Sequence, residues 1–257
     1  GDTAVKLNTR MNDIIHIIHN SIKTGLKGTN YADRILPQQS HLIREAENEG
    51  RIRESVVNRI IENVSALMES KSAMEVVVAA PTAGSCGTLG GALKAISDNI
   101  GSSDEELVKA WFAAGIVGAY FAQGPGFSAE ENGCQVECGA ASGMAAAGIV
   151  QLMGGNAKQA IDAASMAIQN MIGLICDPVA DRVEVPCLGK NISAAVNAYS
   201  SAIMSVSGFD AVIPLDQVIQ TVSDVGKTMP SCVKCTGKGG LAVTETALKI
   251  KNRLTGL

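Results

Sequence analysis

One stretch of the chain strongly limits how it can fold. Residues 138–150 read CGAASGMAAAGIV, with small side chains at almost every position. A helix of this composition has no polar face to present to water, so it must be buried on most sides by closely packed neighbours. We expect it to run from about Cys134 to Met153, where Gly154 and Gly155 end it. Aromatic residues are only 3% of the 257 residues, so small side chains should dominate the rest of the core as well.

Helical spacing of apolar residues predicts most of the remaining structure. The expected helices cover residues 10–24, 51–69, a segment after the glycine-rich turn 81–91 that ends at Ile96, 104–121 with Asp104 as the N-cap, 157–173 capped by Asn156, 190–207, 215–228 and 240–253. The apolar run 74–81 could be a strand or a buried helical turn. Strand candidates are few and short, so we predict an all-α fold with buried small-residue helices and long functional loops, including 25–41, 174–189 and 228–240.

Charge and hydropathy exclude several classes of partner. Lys and Arg number 21 against 25 Asp and Glu, a net charge of −4, and no basic stripe is present. Nucleic acids and anionic membranes are therefore not expected as partners. Apolar runs fall short of the roughly 18 residues that a membrane span needs. The chain shows no secretory signal, and we predict a cytoplasmic location.

The seven cysteines are the strongest chemical signal in the chain. They are Cys86, Cys134, Cys138, Cys176, Cys187, Cys232 and Cys235. An odd number without a secretory signal favours thiols over disulfides. Three of them, Cys134, Cys176 and Cys187, adjoin loops, and three thiolates would leave one iron of a [4Fe–4S] cluster open.

Other uses of these cysteines stay open at this point. Buried free thiols are the plainest alternative, because unligated cysteine is a common core residue. Cys134 and Cys138 lie four apart on one expected helix, and Cys232 and Cys235 form a CxxC pair. Either pair could bind zinc, and the second could be a redox dithiol.

Four motifs resemble a known family. They are APTAGSCG (80–87), NGCQVECGAASGMAAAGIVQLMGG (132–155), MIGLICDPVADRVEVPCLGKN (171–191) and TMPSCVKCTGKGGLA (228–242). In content and order they are similar to the motifs of the α chain, or catalytic domain, of the iron–sulfur L-serine dehydratases. The resemblance covers roughly residues 76–245, and CDPVA-x-x-VEVPC is a long and specific string.

The resemblance implies a cofactor and a reaction. It assigns Cys134, Cys176 and Cys187 as ligands of a [4Fe–4S] cluster with one open iron, without a need for pyridoxal phosphate. The implied activity is that of a carbon–oxygen lyase, which converts L-serine to pyruvate and ammonia, as in amino-acid degradation and gluconeogenesis. The general base is not identified, and His16 and His19 are its weak candidates.

Further residues match the family motifs and are candidates for substrate contact. They are Thr82, Gly84, Ser85, Ser128, Asn191, Thr236, Gly239 and Gly240. Turn or cap chemistry would account for each of them equally well. Asp177 and Glu184 could orient the loop that carries two of the cysteines, or simply cap it.

Departures from the family pattern leave other functions open. The family usually has Asn-Ala-Ser-Ile-Ser-Gly-Ala before its GCQ, whereas this chain has GPGFSAEENGCQ, which adds Glu130 and Glu131. Before TGxGG it has Lys234-Cys235 in place of Arg-Glu. One alternative is therefore the same cluster chemistry on another β-eliminable amino acid, such as L-cysteine. Another is a non-catalytic iron–sulfur or zinc redox protein that uses Cys232 and Cys235 as a dithiol.

The resemblance also implies partners and a division of the chain. A β chain or a fused sensing domain is expected, together with assembly into a homo- or hetero-oligomer. Residues 1–75 are expected to form an N-terminal helical region that matches the family poorly. Residues 76–257 are expected to form the iron–sulfur catalytic region, within one domain with the former.

Overall fold

A computed structural model describes residues 3–256, and the all-α prediction is confirmed for them. The eleven α-helices of this part of the chain are α1 (Ala4–Lys27), α2 (Leu42–Asn48), α3 (Val56–Ser72), α4 (Cys86–Ile100), α5 (Asp104–Gln123), α6 (Ala129–Asn132), α7 (Cys138–Leu152), α8 (Ala157–Gln169), α9 (Cys187–Val206), α10 (Leu215–Thr228) and α11 (Glu245–Thr255). Short 3-10 turns cover Ala83–Ser85, Cys134–Val136, Val179–Asp181, Ser231–Val233 and Gly240–Val243. Extended pairing within residues 3–256 amounts to one isolated bridge between Cys176 and Lys234.

Helix α7 is the centre of the core, as its small side chains predict. Every residue from Cys138 to Val150 is buried, and α4, α5, α8 and α9 pack around the helix. The neighbours approach so closely that a Cβ atom on Gly148 would lie 3.0 Å from the carbonyl oxygen of Ala110 on α5. Small side chains are therefore required because the neighbouring helices pack so closely on α7, and not only because the helix is buried away from water.

The predicted start of α7 near Cys134 is wrong by one turn. Cys134–Val136 is a separate 3-10 turn, and the α-helix begins at Cys138. Gln135 explains the break, because its backbone N–H donates to the carbonyl of Leu174 and its buried side chain bonds to Val222 and Gly173. These long-range bonds hold the backbone out of the helix.

Other predicted elements also differ from those in the structure. Ser103, and not Asp104, caps α5, in a reciprocal capping box with Glu106. The run 74–81 is neither strand nor helix, since its backbone is held by a hydrogen bond from the Ser21 hydroxyl to the Val76 carbonyl. Helices α2 and α6 were not predicted.

The remaining differences lie at helix ends. Helix α1 begins at Ala4, six residues before the predicted start, and extends to Lys27, into the stretch predicted as a loop. Helix α3 begins only at Val56 behind the Ser55 cap. Helix α4 runs on to Ile100 and α8 ends at Gln169. Helix α9 begins at Cys187 and α11 begins at Glu245 behind the Thr244 cap, whereas 190 and 240 were expected. The caps at Ser55 and Thr244, like that of Asn156 on α8, each accept a bond from the first turn.

Two buried carboxylates hold the N-terminal loop against the rest of the molecule. Glu69 accepts the backbone N–H groups of Gln39 and Ser40, and Glu184 accepts those of Ile35 and Leu36. Helices α1 and α3 also pack on α4. The division of the chain between residues 75 and 76 stays a prediction.

The helices were also compared with the length of a membrane span. Among residues 3–256, no helix is both long and apolar enough to cross a lipid bilayer.

Candidate metal centre

Four buried cysteines come together where three segments of the chain meet. Cys134 lies in the 3-10 turn before α7, and Cys138 is the first residue of that helix. Cys176 lies in the 174–189 loop, and Cys187 is the first residue of α9. All four side chains are buried, each at 7% exposure or less. Of the three predicted ligands, Cys134 and Cys176 are in direct contact, and the thiol of Cys138 also contacts Cys134. Cys187 lies close enough for the charge of Cys134 to act on its pKa, but its thiol is not part of this contact. The set of three ligands stays a prediction.

Glu137 completes a set of donors that can hold a metal ion. The thiols of Cys134 and Cys176 and a carboxylate oxygen of Glu137 all lie within 4.8 Å of one another. Glu137 Oε2 is 3.9 Å from Cys134 Sγ. The sequence analysis did not single out Glu137, although its place three residues after Cys134 in the GCQ-x-E motif could have indicated it.

The thiols perturb one another's protonation. Hydrogen bonds from the thiols of Cys138 and Cys176 lower the pKa of Cys134 to about 4. The same bonds, together with burial, raise the pKa values of Cys138 and Cys176. Burial and the charge of Cys134 raise the pKa of Cys187 to about 12. Because thiols bind metal as thiolates, metal binding at these cysteines would release protons.

Burial also shifts the carboxyl group of the donor set. It raises the pKa of Glu137 to about 7, and the charge of Cys134 acts in the same direction. A hydrogen bond from the Thr82 hydroxyl to Glu137 Oε1, at 2.7 Å, partly offsets this rise. The carboxyl group is therefore oriented from one side by Thr82 and faces the thiols with its other oxygen.

Two lysines supply positive charge beside the thiols. Lys190 donates to Asp177 Oδ1 at 2.6 Å and to the Ile175 carbonyl. Burial alone would lower the pKa of Lys190, but the hydrogen bond to Asp177 raises it. Lys71 donates to the Val183 carbonyl, and burial lowers its pKa despite the neighbouring Cys187. Because Lys71 lies outside the matched motifs, the sequence carried no signal for it.

The buried carboxylate of Asp177 fixes the cysteine-bearing loop. Its Oδ1 pairs with Lys190 of α9, and its Oδ2 accepts the backbone N–H of Leu241 at 2.8 Å. A Cβ atom on Gly240 would lie 2.5 Å from the same carboxylate, so only glycine allows this approach. The predicted orienting role of Asp177 thus has a structural basis, and Gly240 packs against Asp177.

The 228–240 loop covers Cys176. Cys176 donates its N–H to the Val233 carbonyl, and Cys235 donates its own to the Cys176 carbonyl, both at 2.8 Å. The thiol of Cys235 contacts that of Cys176, whereas Cys232 is exposed. The two residues of the CxxC pair therefore have different surroundings. Cys86 is buried, and burial raises its pKa to about 11.

The turn at 82–85 reaches the cysteines through Glu137. Thr82 accepts the backbone N–H of Ser85 and contacts its hydroxyl at 3.0 Å. A Cβ atom on Gly84 would lie 3.0 Å from Glu137 Oε1. All three predicted residues of this turn thus lie beside the donor set.

Asn191 has all of its hydrogen-bonding groups occupied inside the protein. Its Nδ2 donates to the carbonyls of Gly84 and Cys187, both at 2.9 Å, and lies 3.8 Å from Cys138 Sγ. Its Oδ1 accepts the N–H and the hydroxyl of Thr88. Because the side chain is fully buried, these contacts make Asn191 a brace between the 82–85 turn and the cysteines.

The other predicted substrate contacts lie in the surrounding loops. Ser128 donates to Glu130 at 3.1 Å. Thr236 donates to the carbonyls of Ser231 and Cys232 within its own loop. Gly239 packs so closely on Cys232 that a Cβ atom there would lie 2.7 Å from its carbonyl oxygen.

The two candidate histidines lie on α1, away from the donor set. His16 is exposed. His19 lies near Lys94 and Asp98 of α4, and burial lowers its pKa to about 4. The contacts recorded for residues 3–256 do not bring either imidazole to a cysteine, so the base is unassigned.

The donor set fits a thiolate-bound metal centre. Thiolates are the ligands of iron–sulfur clusters and of many zinc sites. Here the thiols of Cys134 and Cys176 are buried, come from two segments of the chain, and lie beside the carboxyl group of Glu137. The side chains of Lys71 and Lys190 lie near the same cysteines.

The sequence has clear relatives. The sequence model described as "Serine dehydratase alpha chain" matches residues 2–242. The chain belongs to this family. The family resemblance drawn from the motifs is thereby confirmed, and the match extends over the N-terminal helices as well.

Curated members of the serine dehydratase alpha chain family align with it over most of its length. The "L-serine dehydratase, alpha chain" of Peptoniphilus asaccharolyticus is 33% identical over 97% of this chain and 86% of its own length. The "Probable L-serine dehydratase, alpha chain" of Latilactobacillus sakei is 39% identical, over 76% and 94% respectively. That of Bacillus subtilis is 41% identical over 73% of this chain, which spans 63% of the relative's length.

Proposed function

We propose that this chain dehydrates L-serine to pyruvate and ammonia, with a [4Fe–4S] cluster held by Cys134, Cys176 and Cys187. The observation that carries the proposal is the meeting of the buried thiols of Cys134 and Cys176, from two separate segments, beside Glu137. The names of the family members supply the substrate. When bound, the cluster supplies an open Lewis-acidic iron that polarises the substrate hydroxyl as a leaving group.

The protein's own residues would bind and orient the amino acid in an open cavity beside α6. A cavity of about 570 Å³ opens there, lined in part by Glu130, Glu131 and Lys234. Two of its lining residues have neighbours among the cysteines: Glu130 follows Ala129, which packs on Cys134 and Cys176, and Lys234 forms an isolated bridge with Cys176. Glu130, held by Ser128, would bind the ammonium group of the substrate, and Lys234 would bind its carboxylate.

The elements around the thiols would keep water out and hold the ligands in place. The 228–240 loop covers Cys176, and Asn191 braces the backbone at Cys187. Thr82 fixes the Glu137 carboxyl group against Cys134. These are positioning roles, since such contacts fix the orientation of metal ligands.

A companion module is part of the proposal. The relatives are named alpha chains, which implies a β chain. We expect this chain to act with a β chain or with a fused domain that corresponds to it.

The test is cluster content and activity of protein purified without oxygen. About four iron and four sulfide per chain, with pyruvate formed from L-serine, would support the proposal. Cys176→Ala should lose both, whereas Cys232→Ala, at an exposed thiol outside the donor set, should keep both. Full cluster content without turnover of L-serine, in the presence of the companion chain, would contradict the dehydratase assignment.

A second substrate is favoured by the loop before Cys134. Glu130 and Glu131 stand where the family sequence has no charged residue, so the same chemistry could serve another amino acid with a β-leaving group. L-Cysteine is the candidate. Sulfide release that is faster than pyruvate formation from L-serine, at equal substrate concentrations, would establish it.

A different class of function rests on the geometry of the donor set. Cys134, Glu137 and Cys176 alone could hold one zinc ion, with Cys232 and Cys235 as an accessible dithiol. One zinc per chain, little iron and no lyase activity would establish this function instead.

A further inference from the structure

The thiol of Cys235 lies against that of Cys176 at the edge of the metal centre, and the proposed function gives Cys235 no role. The backbone N–H of Cys235 donates to the Cys176 carbonyl, and the N–H of Cys176 donates to the Val233 carbonyl, both at 2.8 Å. Backbone segments paired in this way lie about 5 Å apart, a separation that a disulfide can span. The two thiols are therefore placed to form a bond with each other.

The backbone of Cys235 is held in an uncommon conformation. Its φ angle is 59°, in the left-handed region that residues other than glycine seldom adopt. Such a conformation persists where surrounding contacts impose it. Here those contacts are the hydrogen bond to Cys176 and the packing of the side chain beside Ala129 and Cys134. The position before Thr236, where the family usually has glutamate, thus presents a thiol to a predicted metal ligand.

The other thiol of the CxxC pair has different surroundings. Cys232 is exposed, whereas Cys235 is partly buried and Cys176 is 3% exposed. The Cys232 carbonyl accepts the Thr236 hydroxyl at 3.2 Å, and a Cβ atom on Gly239 would lie 3.1 Å from the Cys232 Cβ. These contacts hold Cys232 on the solvent side of its loop. Because Cys235 is the more accessible of the two thiols in contact, an oxidant from solvent reaches it before Cys176.

We propose that Cys235 is a redox partner of Cys176, and that the two form a disulfide when peroxide meets the metal-free protein. Hydrogen peroxide oxidises the Cys235 thiol to a sulfenic acid, and one water is released. The Cys176 sulfur then attacks the Cys235 sulfur, the S–S bond forms and a second water leaves. In total, two thiols give up two electrons and two protons, which reduce one peroxide to two waters.

The disulfide would place a predicted metal ligand in a reversible, inactive form. Metal binding needs Cys176 as a thiolate, so the disulfide blocks it. The disulfide also keeps both sulfurs from becoming sulfinic acids, which thiol reductants do not reverse. Formation of the disulfide is independent of the proposed function, and only its effect on cluster loading rests on that function.

The test uses the full chain, purified without oxygen, freed of metal by a chelator and then treated with hydrogen peroxide. Trypsin cleaves after Lys and Arg and places the three cysteines in separate peptides, 159–182 with Cys176, 228–234 with Cys232 and 235–238 with Cys235. Mass spectrometry should find 159–182 joined to 235–238, and dithiothreitol should separate them. A disulfide that joins 228–234 to 235–238 instead would overturn the proposal, and so would oxidation of Cys176 to a sulfinic acid without any disulfide.

Two serine variants form a matched pair, since each removes one thiol of the CxxC pair. Cys235→Ser should lose the joined peptides, whereas Cys232→Ser should give them in the same yield as the unsubstituted chain. Circular dichroism of the untreated proteins checks that both variants fold. If Cys235→Ser left the yield of Cys176 disulfide unchanged, Cys176 would have another partner and the proposal would be overturned.

Binding of Cd²⁺, followed by the ultraviolet absorption of cadmium–thiolate bonds, measures the consequence for the metal centre without cluster or substrate. The peroxide-treated chain should lose Cd²⁺ binding and regain it after dithiothreitol has been applied and removed. Cys235→Ser, oxidised in the same way, should not regain it, because Cys176 without its partner is oxidised beyond the reach of the reductant. Full recovery by Cys235→Ser would overturn the protective role, and Cd²⁺ binding that survives disulfide formation would overturn the blocking role.

Discussion

Single residues around the thiols act mainly by holding others in place. Asn191 shows this most clearly, because its amide satisfies two carbonyls and two donors of Thr88 in a fully buried position. The sequence motif indicated that Asn191 matters, and it suggested substrate contact. The structure shows an internal role, since neither end of the amide is left to face a substrate.

We expect Asn191→Asp to destabilise the protein by about 3 kcal/mol. The substitution replaces the Nδ2 donor by an acceptor that faces the Gly84 and Cys187 carbonyls. Urea unfolding measures the change, and Asn20→Asp, at an exposed position, is the control. A loss below about 0.5 kcal/mol would show that Asn191 is not a structural brace.

Glu130 is the residue on which substrate recognition is most directly tested. If it binds the ammonium group, Glu130→Gln should raise KM for L-serine about tenfold, the effect of losing roughly 1.4 kcal/mol, with little change in kcat. Inhibition by glycerate, which lacks the ammonium group, should be unaffected. The control is Glu131→Gln at the neighbouring carboxylate, and an equal effect of both variants would reject a specific role for Glu130.

His19 gives the stability a defined pH dependence. Its pKa is about 4 in the folded protein and 6.5 in the unfolded chain, so the unfolded state takes up the proton first as pH falls. The stabilisation is complete above pH 6.5 and is lost as the pH falls toward 4. Between pH 7 and pH 5 the free energy of unfolding of the unsubstituted protein should fall by about 1 kcal/mol more than that of His19→Gln. This difference is smaller than the full pKa shift would give, because the site is partly exposed to solvent. If urea unfolding showed the same loss of stability in the unsubstituted protein and in His19→Gln, the prediction would be contradicted.

At the scale of elements, the packing around α7 decides which glycines are required. Gly148 is in contact with α4 and α5, whereas Gly115 of α5 has open space where its Cβ would lie. Both are helical glycines, so they form a matched pair. Sequence alone treats them alike, because helix propensity favours alanine at each position.

The pair predicts opposite changes in stability. Gly148→Ala should destabilise the protein by about 2 kcal/mol, since its Cβ would lie 2.9 Å from a Leu93 methyl group and 3.0 Å from the Ala110 oxygen. Gly115→Ala should stabilise it by up to about 1 kcal/mol. The midpoint of thermal unfolding separates the two outcomes. If Gly148→Ala left the thermal midpoint unchanged, α4 and α5 would be able to move away from the new Cβ atom without loss of stability.

At the scale of the whole molecule, the cysteines connect regions that are distant in sequence. Cys134, Cys176 and Cys187 belong to three segments, and the 228–240 loop closes over Cys176. Ligand binding that joins separate segments stabilises the folded state by mass action. Under the proposed function, removal of the cluster should therefore loosen all of these segments together.

This predicts a cooperative response to metal loss. Chelation of the anaerobically purified protein should lower the thermal midpoint and increase hydrogen exchange in residues 128–137, 174–189 and 228–240 together. Exchange in α1 should change little, because its contacts are to α3, α4 and α5. Loosening of the 228–240 loop alone would contradict a centre that joins all three segments.

The sequence by itself determined the fold class and the family. Small residues over 138–150 require a buried central helix whatever surrounds it, and the cysteine motifs are long enough to be specific. Tertiary structure alone decided the start of α7 at Cys138, the place of Glu137 beside the thiols, and the approach of Lys71. Those features depend on contacts such as that of Gln135 with Leu174, between residues far apart in the chain. Local propensity contains no information about such contacts, so only the folded molecule could reveal them.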